Sequence, residues 1–314
     1  IVDEAIKKKC NLIISHHPII FGGIKSVDIS HWVGKVIRKA ILNNISIYAL
    51  HTNLDNIKDG VNKKICDILD IKNTSFLLPK FGFSKKLEIY IPEKDKELFL
   101  KEIFKSGAGK IGNYRDCSYQ SQGIGTFIPL KNSNPSTGSE NMKSEVDEIK
   151  LEIYFDESVE RKVKKVIEDY HPYDEPNYFI HENNIESREV GSGMIGTRKI
   201  KFKALLEDLK NKFNRESIKY TDIIKPEINK IAVCGGSGSF LTHEAIRKGA
   251  DVLISSDFKY HDFFEANNQI TLIDIGHYES EQFTKDLIFE FLSKNLINIA
   301  LHLSNENTNP IKYY

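Results

Sequence analysis

Four histidines stand just beyond apolar, β-branched stretches. His16 and His17 follow Asn11–Ser15, His51 follows Ile45–Leu50, and His277 comes shortly after Ile270–Asp274. Asp55 closes the group that His51 opens, and Glu281 lies four residues after His277 where a helix starts. Imidazoles and carboxylates without cysteine suit borderline or harder divalent ions such as Zn, Fe, Mn, Co or Ni. Side chains at i and i+4 share a helix face, so His277 and Glu281 can reach one ion, whereas Glu279 faces elsewhere. A His-His pair inside a strand would point to opposite faces; Pro18 helps end the strand so that both can serve one site. Taken singly, His16 and His17 fit a strand cap as well as a ligand pair, while His277 with Glu281 fits an ordinary helix-surface pair better, and Asp55 a turn or helix cap. Together, His16, His17, Asp55, His277 and Glu281 bring three imidazoles and two carboxylates to three strand ends. With one carboxylate able to bridge, five ligands suit two ions, which sit about 3.5–4 Å apart in dinuclear hydrolytic sites.

The elements that must carry these residues alternate between strand and helix. Asn11–Ser15, Ile45–Leu50, Lys230–Cys234, Asp251–Ser255 and Ile270–Asp274 read as buried strands. Helices follow at about 31–43, with Trp32, Val33, Val36, Ile37, Ala40 and Ile41 at helical spacing, and after His277, with Phe283, Leu287, Ile288 and Phe291. This pattern predicts an α/β fold with a mostly parallel sheet, helices on both faces, and ligands beyond the carboxyl ends of the strands.

The stretch from about 81 to 190 differs. Lys86–Ile91 and Lys150–Phe155 alternate at period two, and each precedes a helix, to Phe104 and over Ser158–Tyr170. The two β-α halves predict an inserted ferredoxin-like α+β domain. Between them, 131–148 reads as a polar loop. The expected division is therefore 1–80 and 191–314 for the core and 81–190 for the insert. Gly235–Ser239 fits either a tight strand–helix turn or an anion nest of backbone amides. Gly191–Gly196 matches GxGxxG by letter, but lacks the strand-then-helix context and reads as a domain junction.

The chain has 314 residues, 40% hydrophobic and 28% charged, with 44 basic against 44 acidic side chains. That length predicts two domains, and the balanced charge counts against a nucleic-acid or membrane-surface partner. No apolar run nears the roughly 18 residues of a membrane span. Cys10, Cys66, Cys117 and Cys234 form no CxxC pair, which argues against a disulfide framework or a thiolate zinc site and fits a cytoplasmic protein. Ile1 stands inside a helical pattern, so a native segment is expected before it.

Ile13–Phe21, His51–Asp55 and Asp274–Glu281 resemble the NIF3-like dinuclear metal-centre family, whose members are catalogued as GTP cyclohydrolase 1 type 2 homologues. The resemblance extends to Cys234–Ser239 and Ser256–Asp262. In the insert it covers Asp116–Tyr119, Gly123–Pro129 and His171–Pro176. It implies two divalent ions, one held by His16 and His277, the other by His17 and Asp55, with Glu281 bridging. It also implies a PII/CutA-like insert, a helix and strand ahead of Ile1, and a homohexamer with its metals facing an inner cavity.

Two functions follow. A metal-dependent hydrolase would act on a nucleotide or related ring compound, in GTP cyclohydrolase fashion, with His261 a candidate proton donor. Alternatively, the chain is a non-catalytic metal- or ligand-sensing regulatory scaffold, favoured by a closed ligand shell.

Overall fold

The computed structural model describes residues 1–312. The chain divides into two compact units, Ile1–Pro79 with Arg188–Tyr314, and Lys80–Ser187. The first unit opens with α1 (Val2–Lys7), β1 (Leu12–Ser15), α2 (Trp32–Leu42), β2 (Ser46–Ala49), α3 (Thr52–Asp55), α4 (Val61–Ile68) and β3 (Lys72–Pro79). The second holds β4 (Ser84–Pro92), α5 (Lys96–Lys105), β5 (Tyr119–Phe127), β6 (Ser144–Asp156), α6 (Glu160–Tyr170) and β7 (Tyr178–Asn183). The first unit then resumes with β8 (Gly191–Lys201), α7 (Phe202–Lys212), β9 (Lys219–Tyr220), β10 (Glu227–Ser237), α8 (Thr242–Arg247) and β11 (Val252–Ser256). A 3-10 turn over Tyr260–Ala266, β12 (Thr271–Asp274), α9 (His277–Glu281) and α10 (Thr284–Asn295) complete it. Among the described residues no helix is long and apolar enough to cross a membrane.

The first unit contains a parallel pair, β1–β2, and a six-stranded sheet in the order β3-β8-β10-β11-β12-β9. That sheet is mixed, which corrects the expected mostly parallel core. Only β10–β11 and β11–β12 pair in parallel; β3–β8, β8–β10 and β12–β9 are antiparallel. The parallel pairs lie where a helix or helical turn crosses between strands, the only short way to return in the same direction. β3 leaves for the second unit, and β8 comes back beside it in the opposite sense. Every residue of β11 is buried. Val252 and Ile254 pack on one face with α4 and α7, while Leu253 packs on the other with α8, which is why this strand reads as an unbroken apolar run.

In the second unit a four-stranded antiparallel sheet runs β5-β6-β4-β7. Leu87, Ile89 and Ile91 alternate with polar residues and pack, with Leu151 and Ile153, against Phe99, Ile103, Val163 and Ile167 of the two helices. The loop expected over 131–148 is shorter than the sequence suggests. β6 begins at Ser144, and Ser144–Glu148 pair with Gly123–Phe127, because backbone pairing carries this hairpin arm without needing apolar side chains.

Pro79 and Gly191 are register partners of the antiparallel β3–β8 pair, so the segment between them leaves and re-enters at neighbouring points. Replacing 80–187 by a short turn is expected to give a folded first unit that takes up as much metal as the full chain. Circular dichroism and metal content per chain check this; a folded product without metal uptake would contradict it.

Candidate metal centre

Each of the five ligand candidates sits just past a strand of the first unit. β1 ends at Ser15, and the pairing carries on through the Leu50 amide, which donates to the Ser15 carbonyl (3.1 Å), and the His51 amide, which donates to the His16 carbonyl (2.8 Å). Asp55 ends the single turn α3, and His277 and Glu281 are the first and last residues of α9. The structure brings all five together. Glu281 Oε2 lies 3.2 Å from His277 Nε2, 3.3 Å from His17 Nε2 and 3.5 Å from His16 Nε2. His17 Nε2 and His277 Nε2 are 3.2 Å apart, and His16 Nε2 is 3.5 Å from Asp55 Oδ1. These distances group His16 with Asp55, and His17 with His277, around one shared Glu281 oxygen. The resemblance had paired them crosswise.

Both ring nitrogens of His16, together with Asp55 Oδ1 and Glu281 Oε2, are buried and make no hydrogen bond among the described residues. A buried polar atom left so costs about 1–3 kcal/mol, and three of these, His16 Nε2, Asp55 Oδ1 and Glu281 Oε2, meet at 3.5 Å and call for a common explanation. A divalent ion supplies it. Ligand atoms about 2.0–2.1 Å from a tetrahedral ion stand about 3.3 Å from one another, and the observed separations of 3.2–3.5 Å fit. The residues present therefore suit a metal, and His16, His17 and Glu281 alone already form a possible ion-holding cluster.

Without an ion, protons and charge attraction hold the cluster together. Burial pushes Glu281 up, but His16 and His277 beside it outweigh that and hold the carboxyl down at about 2. His277 rises to about 9, first through Glu281 and then through Asp257 against an opposing effect of burial. Burial lifts Asp55 to about 6 and lowers His17. The floor is dry, with the Glu281 and His16 side chains 8% and 10% exposed, while His17 (48%) and His277 (35%) leave one side open.

Three supports were not apparent from the sequence. Asp257 accepts from His277 Nδ1, which leaves Nε2 free to face Glu281 and His17. Buried Asn62 bridges two parts of the site: its amide nitrogen donates to the Asp55 carbonyl (2.8 Å), and its Oδ1 accepts from the Gly235 N–H (2.9 Å). Ser280 Oγ accepts from the Gly236 N–H (2.9 Å) and donates to the His277 carbonyl (2.8 Å). The Gly235 and Gly236 amides are thus already engaged and not open to an anion, and this part of the loop forms the wall behind Glu281. Gly236 sits at φ +64, and a Cβ there would overlap Glu281 Oε1. Cys234, next in that wall, is buried, and its thiol is pushed up to about 12 by burial, so it stays neutral. Gly191–Gly196 lies within β8 and forms no turn.

His261 stands apart. It is exposed on the 3-10 turn, its ring against Tyr260 (5.4 Å) and Phe264 (6.4 Å), with no hydrogen bond or ion pair to the five among the described residues. His51 is closer, its ring centroid 5.3 Å from that of His17 and 5.8 Å from that of His16.

A family model described as Duf34/NIF3 (NGG1p interacting factor 3) matches residues 1–310. The chain belongs to the Duf34/NIF3 family. A Staphylococcus epidermidis relative of this family, named GTP cyclohydrolase 1 type 2 homolog, is 35% identical over 319 residues, covering 100% of this chain and 87% of the relative. A Staphylococcus aureus protein of the same name is 33% identical over 318 residues, with the same coverage. Among solved structures, a Bacillus cereus protein related to NIF3 superposes with a TM-score of 0.84 at 31% identity, covering 100% of this chain and 86% of that one. A Staphylococcus aureus protein gives 0.76 at 31% identity, covering 100% and 85%. The mixed α/β architecture thus agrees with that of solved NIF3-related structures.

Proposed function

We propose that the first unit is a dinuclear divalent-metal centre, held by His16, His17, Asp55, His277 and Glu281, and that it serves a metal-dependent hydrolase of nucleotides or related ring compounds. The meeting of three orphaned buried polar atoms, His16 Nε2, Asp55 Oδ1 and Glu281 Oε2, carries this reading. In it, His16 and Asp55 hold one of two ions (Zn, Fe, Mn, Co or Ni), His17 and His277 hold the other, and Glu281 serves both. When bound, such ions lower the pKa of a coordinated water and polarise the bond to be attacked. The residues do the rest. Glu281 would offer its negative charge to both ions, Asp257 fixes the His277 ring, and the open side by His17 and His277 would admit substrate. That open side favours catalysis over a closed, non-catalytic scaffold. The names carried by the Staphylococcus relatives support GTP as the first compound to test. Metal-loaded protein is to be incubated with GTP, other nucleotides, cyclic compounds and phosphoesters, with formate release from GTP as the expected signal. No turnover on any of them, with any of the five metals, would overturn the hydrolase reading in favour of the scaffold.

Asp257→Asn is expected to weaken metal binding about 10–100-fold, the usual effect of losing a carboxylate behind a ligating imidazole. Asparagine can present an N–H to Nδ1 and so favour the tautomer whose Nε2 carries the proton. Competition with a fluorescent chelator measures the change; unaltered affinity would remove Asp257 from the site.

The succession β4-α5-β5-β6-α6-β7, with β4 and β6 central, supports a ferredoxin-like insert of PII/CutA type. The exposed Phe21, Trp32, Ile41, Leu42 and Tyr48 support assembly with further copies, the homohexamer implied by the family resemblance.

A further inference from the structure

Two of the sequence motifs singled out above have no part in the metal centre, and both line one cavity of about 740 Å³ in the second unit. One is Gly123–Pro129 at the end of β5; the other is His171–Pro176 after α6. His171 builds the second motif into a fixed shape. It is buried; its Nε2 bonds the Tyr90 carbonyl (2.8 Å) and its Nδ1 accepts from the Tyr173 N–H (3.1 Å). The proton is therefore on Nε2 and the ring is neutral, in line with its lowering by burial. So held, Tyr173 donates its hydroxyl to Glu148 Oε1 (2.7 Å), with the Phe127 ring 6.4 Å from its own.

Glu148 is unlike its neighbours. On the same strand pair, Glu88 is matched by Lys150 (3.1 Å), and Glu152 by Lys86 (3.2 Å) and Lys150 (3.1 Å). Among the described residues no cation pairs with Glu148. Its second oxygen lies over Gly125, where a Cβ would strike it. Asp174, also on the wall, is already engaged by the backbone amides of Asn134 and Glu175 (both 3.1 Å). The cavity thus offers a carboxylate with no ion-pair partner among the described residues, between aromatic rings, with apolar walls at Ile124 and Pro129. A volume of this size accommodates a small organic molecule.

We propose that this cavity binds a small planar organic cation, an amidinium or aromatic ammonium compound, whose N–H groups pair with Glu148 while its ring lies against Phe127, Tyr173 and Tyr90. A planar cation satisfies both features at once. The carboxylate accepts charge-assisted hydrogen bonds, and the ring faces attract positive charge. An anion would meet Glu148, Asp174 and Glu175 against Lys131 alone. The site is separate from the metal centre, and every lining residue belongs to the second unit.

The test uses the full chain and three ligands of one shape: benzamidine, benzamide and benzoate, followed by ligand-observed NMR and calorimetry. Benzamidine is expected to bind with a Kd of about 1 mM or tighter, and benzamide and benzoate at least about tenfold more weakly. Glu148→Gln should weaken benzamidine at least about tenfold and Phe127→Ala several-fold. Glu145→Gln, an exposed carboxylate of β6 paired with Lys143 (2.9 Å), should change nothing. Benzoate or benzamide binding as tightly as benzamidine, or no benzamidine signal at about 10 mM, would overturn the proposal. Unchanged affinity in a folded Glu148→Gln would do the same. The three-ligand comparison is made on the unaltered chain, so it decides the matter even if that variant does not fold.

Discussion

Glu281→Ala is expected to leave the protein with one bound metal ion or none after dialysis, although it stays folded. The reason is the sharing seen at Glu281 Oε2, which lies within 3.5 Å of His16, His17 and His277 at once. Alanine removes a ligand from both groups and also takes away the negative charge that would separate two dications. His277→Ala touches only the group with His17, and the ion held by His16 and Asp55 should remain. Metal content per chain, with circular dichroism to confirm folding, measures both. Two ions retained in Glu281→Ala would refute the shared-carboxylate arrangement.

Glu279→Ala, two residues away, is expected to do the reverse: metal stays and stability falls. Glu279 faces away from the cluster, as helix geometry requires, and is buried against Arg215, with Oε1 3.2 Å from Nη1. The Asn309 amide bonds the same oxygen (3.2 Å). Side chains only 4% and 7% exposed have little water to fall back on. Removing one partner of a buried pair costs about 3–5 kcal/mol, and Arg215 has further interactions, so the low end applies. Thermal unfolding should shift down by several degrees, with metal content per folded chain unchanged. A variant as stable as the parent would show that the pair contributes nothing.

The contrast between these neighbours shows what the sequence could reveal. That His16, His17, Asp55, His277 and Glu281 come together was legible because each falls shortly after a strand, although the strands belong to two different sheets. Their grouping was not, because which imidazole faces which carboxylate is set by packing between distant segments. Asp257 was hidden for a similar reason: an exposed aspartate at φ +57 looks like a turn residue until His277 is placed beside it. Among the strands, β11 and β12 announce themselves as unbroken apolar runs. β3 did not, since Asn73, Thr74 and Ser75 make its first half polar, and β8 did not, since its glycines suggested a junction. Missing those two is what made the sheet look parallel.

The β1–β2 pair has a consequence for the order in which the molecule comes apart. It shares no hydrogen-bonded edge with the six-stranded sheet, and its apolar cluster is small, with Ala5, Ala40 and Ile45 buried and Ile13 and Ile47 half-covered. Yet it carries His16 and His17, while His277 and Glu281 follow β12 of the larger sheet. An ion seated between them would act as a clasp fastening a weakly anchored flap to a rigid frame, and binding only the closed form would stabilise that form by mass action. Chelation should therefore loosen the flap before anything else. In hydrogen exchange, the amides of Ile13–Ser15 and Ile47–Ala49 should lose protection first, while those of Leu253 and Ile273 at the centre of the frame keep theirs.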